Sequence, residues 1–271
     1  GQISKLHGHD TSYIFKFIEE ERTMRIILTF FITLFLAVPA FTAELTSALD
    51  QNINAVMTKV IDWRHHFHQF PELSNREYKT QKSIADALTE MGLEPNLDYG
   101  ITGVTAFIRG QNSGPLIALR ADIDGLPVTE QLNLPFSSKE KTTYQGNEIG
   151  VMHACGHDAH IAILLGVASF LSQNTDKLNG DIMLIFQPAE EGAPAGEDGG
   201  AELMLKQGLF ELEKPDAIFG LHVSNFSHGT IMLKPGPAMA SAEAFRINIE
   251  GKQTHGSRPW EGADPIVAAF N

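Results

Sequence analysis

Cysteine is almost missing from this chain, with Cys155 alone among 271 residues. A single thiol cannot close an intrachain disulfide, so no disulfide framework holds the fold in any compartment. Cations are scarce too: 20 Lys and Arg stand against 33 Asp and Glu, a formal net charge of −13. A phosphate backbone needs a basic surface, which argues against a nucleic-acid partner. Long apolar runs are missing with one exception, Ile26 to Leu36. That run follows Met24-Arg25 and ends in small residues at Val38-Pro39-Ala40 and Phe41-Thr42-Ala43. It is short for a membrane span and reads as a secretory signal peptide over 24–43, with the first cleavage position favoured. A periplasmic or secreted location is therefore expected, with no stable membrane association; an uncleaved anchor is the lesser alternative. Residues 1–23 carry no periodic pattern and read as a non-native upstream extension. What remains, 43% hydrophobic and 20% charged, is the composition of an ordinary globular chain.

From Leu45 to Phe70 apolar residues recur at helical spacing until Pro71 stops them. The pattern predicts a second helix over Glu77 to Met91, with Gly92 as its C-terminal punctuation. The period then changes. "GVTAFIRG" and "PLIALRAD" read as strands, the second buried on both faces, and "DIMLIFQ" and "DAIFGLHV" as further buried strands. "IAILLGVASFL" and "AELMLKQGLF" between them read as helices. This alternation predicts an α/β architecture with a largely parallel sheet flanked by helices. In such sheets ligands gather beyond the carboxyl ends of the strands. After Val223 the pattern shifts to short strand-like alternations at Ile231 to Leu233 and Phe245 to Ile249. A boundary is placed there, giving a first domain over 44–237 and a second from 238 to 271. The pattern stops at Asn271 inside an apolar helical run without a cap, so the chain is expected to be truncated and the second domain incomplete.

Each expected core strand ends in chemistry that an apolar sheet would not bury without a reason. "LIALRADID" ends in Asp122 and Asp124, "IMLIFQPAEE" in Glu190 and Glu191, "AIFGLHV" in His222. The loop before the third helix, "GVMHACGHDAH", adds Cys155 and His157. Thiolate, imidazole and carboxylate together suit zinc, manganese, cobalt or nickel. Cys155 and His157, two apart in an extended segment, point the same way. Adjacent Glu190 and Glu191 are expected to point differently, one toward a metal and one toward a water. Some residues nearby have simpler explanations: Asp158 as a helix N-cap, His153 and His160 as supporting groups, His65, His66 and His68 as capping groups at a helix end. "EGAPAGEDGG" reads as acidic surface in preference to a calcium loop.

Six segments in order, "RHHFHQFPELSNREYKT", "ALRADIDGLPVTE", "GVMHACGHDAHIAILLGVA", "FQPAEEG…GGAELM", "GLHV" and "GKQTHGSRPWEGADPI", resemble the metal-dependent amidohydrolase and exopeptidase family. That family includes hippurate hydrolase, N-acyl-amino-acid deacylases and the plant indole-acetyl-amino-acid hydrolases. The resemblance runs from about Leu49 to Asn271. It implies a catalytic α/β domain with two divalent metal ions and an inserted α+β lid or dimerisation domain, through which a homodimer would form. Carried over residue by residue, it makes Cys155, His157, Glu191 and His222 metal ligands and Glu190 the general base. Asp122 becomes a supporting carboxylate, with Asp124 the weaker candidate, and His255 a lid group that stabilises the oxyanion. It also implies that a further ligand histidine lies beyond Asn271, and that this 271-residue piece alone is poorly active.

The reaction so implied is hydrolysis of the amide bond of N-acyl amino acids or related small amides. An exopeptidase or dipeptidase of the same superfamily is the first alternative. A cysteine hydrolase using Cys155 with a histidine base is a second, weakened by carboxylates that would raise the thiol pKa. A metal-binding homologue without activity is a third, and it would have no use for Glu190.

Overall fold

The computed structural model describes residues 53–240, 245 and 247–270. The upstream extension, the signal peptide at 24–43 and the start of the first expected helix lie outside the described residues. No helix among the described residues is long and apolar enough to cross a membrane. Contacts divide the chain into two units, between Ser224 and Asn225.

The first unit opens with helix α1, residues 53–69, and α2, Tyr78–Glu90. Gly92, at φ 78°, follows the C-cap Met91, as the glycine signal predicts. Strands β1 (Val104–Ile108) and β2 (Asn112–Asp122) follow, then the hairpin of β3 (Lys141–Tyr144) and β4 (Asn147–Gly150). Helix α3 (His157–Ser172), β5 (Asn179–Gln187), α4 (Gly200–Lys206) and β6 (Ala217–Gly220) complete the unit. The main sheet has the order β1-β5-β2-β6. β2 pairs parallel with β5 and with β6, while β1 runs antiparallel at one edge. The carboxyl ends of β2, β5 and β6 therefore share one side of the sheet.

Strand β5 shows how the layers form. Leu184 and Phe186 face a core with Ile84 and Leu88 of α2 and Ile161, Leu165 and Ala168 of α3. The alternate Met183 and Ile185 face a second core with Met204 of α4 and Leu209. Helix α1 adds Phe67 to the first core. It comes close to α3 at Gly166, where a Cβ would lie 2.5 Å from Val60 Cγ2.

Two strands differ from expectation. β2 is buried only toward its carboxyl end, and Asn112 to Pro115 are exposed. β6 is an edge strand with Ile218 and Phe219 exposed, because its neighbour is β2 on one side alone and no described helix covers it. The second unit contains a 3-10 turn at Pro259–Glu261, the short helix α5 (Pro265–Phe270) and an isolated bridge, Lys252 to Ala263. Among the described residues, 231–233 and 245–249 form no strand. A strand must place its backbone groups on a neighbour, and none is paired with these segments.

Candidate metal centre

The sheet edge and the start of α3 converge on one imidazole. Gly156, the N-cap of α3, takes φ 93° and lies so close to Val223 that a Cβ would sit 2.3 Å from Val223 Cγ2. His157, the first residue of α3, is fully buried. His157 Nδ1 donates to the backbone carbonyl of Asp124, 2.8 Å away. In the neutral ring Nε2 therefore carries the lone pair, and it is buried without a hydrogen-bond partner among the described residues. Facing it are Asp122 Oδ1 at 3.6 Å, Glu190 Oε2 at 3.8 Å and Glu191 Oε1 at 3.9 Å.

His222, just past β6, repeats the device. Its Nδ1 donates to Val223 O at 2.6 Å, which leaves Nε2 directed at Cys155 Sγ, 3.4 Å away. Cys155, His157 and His222 form one set of donor atoms close enough to share an ion; His157, Glu190 and Glu191 form another. His160 is near both but is not free to bind. Its Nδ1 donates to Asp122 Oδ1 at 2.5 Å, and its Nε2 accepts Val223 N–H at 2.9 Å. It ties the end of β2 to the segment after β6, a supporting part as expected.

Electrostatics agree with this donor set. Burial pushes the Cys155 thiol up, and Glu191, Glu190 and Asp122 push it further, to about 12. The site thus holds no thiolate at neutral pH unless a cation offsets the carboxylates. Burial and the charge of Asp122 likewise raise Glu190 above the usual carboxylate range. Burial would raise Asp122 too, but His160, His157 and Arg120 hold it down at about 2. Burial works against a charged His157, yet Asp124 and Asp122 keep its pKa above the ordinary histidine value. Arg120, bound to Asp122 Oδ2 and Gln187 Oε1, supplies positive charge to Asp122. Two Nε2 lone pairs fixed by their own Nδ1 donors, a thiol and surplus carboxylates fit divalent cations.

Three expectations need correction. Glu190 and Glu191 do not diverge: both reach toward His157 Nε2 from a turn beyond the end of β5, where Ala189 takes φ 50°. Asp158 is not the N-cap but the second residue of α3. Its Oδ2 accepts from His68 Nδ1 at 2.8 Å and Arg64 Nε at 3.1 Å. His68 does not cap a helix either; its Nε2 meets Glu130 Oε1 at 3.2 Å, while His65 stacks on Phe136. In the acidic loop, Glu197 pairs with Arg76. His255 lies in the second unit, where its Nδ1 accepts Ser257 N–H at 3.2 Å.

Sequence reasoning missed a frame of buried polar residues from the loop between α1 and α2. Ser74 Oγ donates to Asp124 Oδ2 at 2.7 Å, and the same oxygen accepts Glu191 N–H at 3.0 Å. Asp124 so holds both His157 and Glu191, a larger part than the weaker candidacy given it. Glu77, fully buried, accepts Ala189 N–H at 2.9 Å. The signal available was "PELSNREY", whose polar residues break the helical period without turn chemistry to explain all of them.

Residues 118–271 match the model of Peptidase family M20/M25/M40. The chain is 44% identical over 219 residues to N-acetyl-L-cysteine deacetylase of Bacillus subtilis, covering 80% of this chain and 49% of that protein. It is 43% identical over 229 residues to thermostable carboxypeptidase 1 of Saccharolobus solfataricus, covering 84% and 55%. Among solved structures it is similar to the YXEP protein of Bacillus subtilis, described as a dinuclear metal binding peptidase from the M20 family. That match has a TM-score of 0.55 and 44% identity, over 63% of this chain and 44% of the other. The chain spans about half the length of the curated relatives it matches.

Proposed function

Because the chain belongs to Peptidase family M20/M25/M40, we propose that this protein hydrolyses the amide bond of N-acyl amino acids or related small amides at a centre of two divalent cations. The observation that carries the reading is His157 Nε2, buried with no hydrogen-bond partner among the described residues and facing three carboxylates within 4 Å. Cys155, His157, Glu191 and His222 are the residues that would hold the cations, and zinc, manganese, cobalt or nickel suit the donors. Divalent cations, when bound, supply the Lewis acidity that acidifies water and polarises an amide carbonyl.

The chain's own groups do the rest. Glu190 takes the proton of the attacking water and returns it to the leaving amine, a task its raised pKa favours. Asp122, held by Arg120 and His160, keeps its charge beside His157. His255, from the second unit, is assigned to the charge that develops on the carbonyl oxygen. Residues from 238 onward are read as a lid that pairs two copies, and the 24–43 segment as an export signal to the periplasm or exterior.

An exopeptidase acting on short peptides shares this centre, and the carboxypeptidase similarity keeps it as the second reading. Chelation with subsequent metal return, followed on acetylated amino acids, hippurate and dipeptides, tests both. Loss and recovery of turnover is expected, with the substrate panel separating amidohydrolase from peptidase. Activity that survives chelation but is lost on thiol alkylation would instead support a Cys155 nucleophile.

A further inference from the structure

Glu190 and Glu191 lie in a turn beyond the end of β5, and both carboxylates converge on one imidazole nitrogen. The backbone just before them accounts for it. Ala189 is buried and left-handed at φ 50°, a conformation that residues other than glycine rarely adopt. We infer that Glu77 is a positioning residue: by accepting the Ala189 N–H it holds the left-handed turn that brings both carboxylates to one side.

The geometry is specific. Glu77 Oε1 accepts Ala189 N–H at 2.9 Å, and Glu77 Oε2 accepts the hydroxyl of buried Thr102 at 2.5 Å. The Glu77 side chain makes no ion pair among the described residues, and a buried carboxyl without a cation is costly to keep. Burial raises it to about 7, and in either protonation state Oε1 remains an acceptor for the amide. At the other end of the turn, Asp124 Oδ2 accepts Glu191 N–H. The segment 189–191 is thus gripped by its amide groups at both ends, and each grip is a buried carboxylate from a different loop.

This inference rests on the reading of Glu190 as base and Glu191 as metal ligand, so Glu190→Gln is the control. If that variant of the full-length protein keeps parental kcat, the reading fails, whatever Glu77 does. With the control inactive, Glu77→Ala is expected to lower kcat roughly 100-fold, the effect of an ångström's misplacement, while KM changes little. The visible absorption spectrum of the cobalt(II)-loaded protein should shift in the same variant as Glu191 moves. Glu77→Gln keeps an acceptor for Ala189, and its amide can donate to the Thr102 hydroxyl once that hydroxyl turns to accept, so it should stay within about threefold of parental kcat and keep the parental spectrum. Ala189→Gly in the Glu77→Ala background should recover activity, because glycine takes positive φ unaided. Parental kcat and spectrum in Glu77→Ala would overturn the inference, as would a Glu77→Gln variant as impaired as Glu77→Ala. Should Glu77→Ala not fold, Thr102→Val carries the test: a loss of about tenfold is expected from freeing Oε2, and unchanged kcat and spectrum would overturn the inference.

Discussion

Two buried polar clusters flank the first turn of α3, and they are built to opposite rules. Around His157, Asp122 meets the charge of Arg120, Glu190 and Glu191 meet no described cation but the His157 ring, and a ring nitrogen is left without a hydrogen-bond partner among the described residues. Around His68, the carboxylates of Asp158 and Glu130 meet Arg64 and an imidazole whose two nitrogens each face a carboxylate oxygen. The second cluster is balanced and complete; the first is balanced only when cations arrive. Burying charge is tolerable in either case, but only the first retains capacity to bind something from outside.

The comparison can be broken in order of effect. Glu190→Gln should reduce kcat on the order of 1000-fold with an unchanged melting temperature, since it removes a proton carrier and no packing; a small loss would remove Glu190 from the chemistry. His68→Leu should do the reverse, destabilising by about 3 kcal/mol because two buried carboxylates each lose one of their donors, with metal stoichiometry unchanged in the folded protein. Thermal unfolding and metal analysis on the same samples would show whether the two clusters separate in this way.

The pH dependence sharpens the contrast. Hydrogen bonding to Asp158 raises His68 above the ordinary histidine value despite its burial, and Glu130 adds to the rise. A folded-state pKa above the unfolded one means stability that is full at lower pH and lost as pH rises through the raised value. Glu77 drifts the same way, losing its contribution between the ordinary glutamate range and about 7. Melting curves of the parent, His68→Leu and Glu77→Gln across this window should assign each part of the decline, and a parent with flat stability would contradict both. Smallest of all, Lys82→Ala breaks an exposed pair with Asp86 four residues away and should cost less than about 0.5 kcal/mol by denaturant unfolding.

Much of this arrangement was legible in the sequence, and the limits follow from physics. Apolar runs ending in Asp122, Glu190 and His222 placed the donors at one sheet edge, because parallel strands put their carboxyl ends together. "RHHFHQFPELSNREYKT" to "GKQTHGSRPWEGADPI" gave the family. Period alone could not reveal that Ala189 turns left-handed, since alanine carries no sign of that conformation as glycine does. Nor could it reveal that Asp158 faces His68, because a partner 90 residues away is chosen by packing, not by local pattern. The exposure of β6 was hidden for a similar reason: an apolar strand reads the same at an edge as at the centre.

The first turn of α3 deserves a mechanical reading. His157 faces the sheet-edge carboxylates, Asp158 faces the cluster of Arg64 and His68, and His160 bridges Asp122 to Val223. Successive helical residues are rotated by about 100°, so these three assignments behave like marks on one dial. Adding or removing one residue between Gly156 and Ile161 turns the dial by a full step and misdirects all three at once. The same edit at the hairpin tip, Gln145-Gly146, moves none of them. Length in this short segment is therefore as constrained as residue identity, and insertional scanning should find it among the least tolerant stretches of the chain.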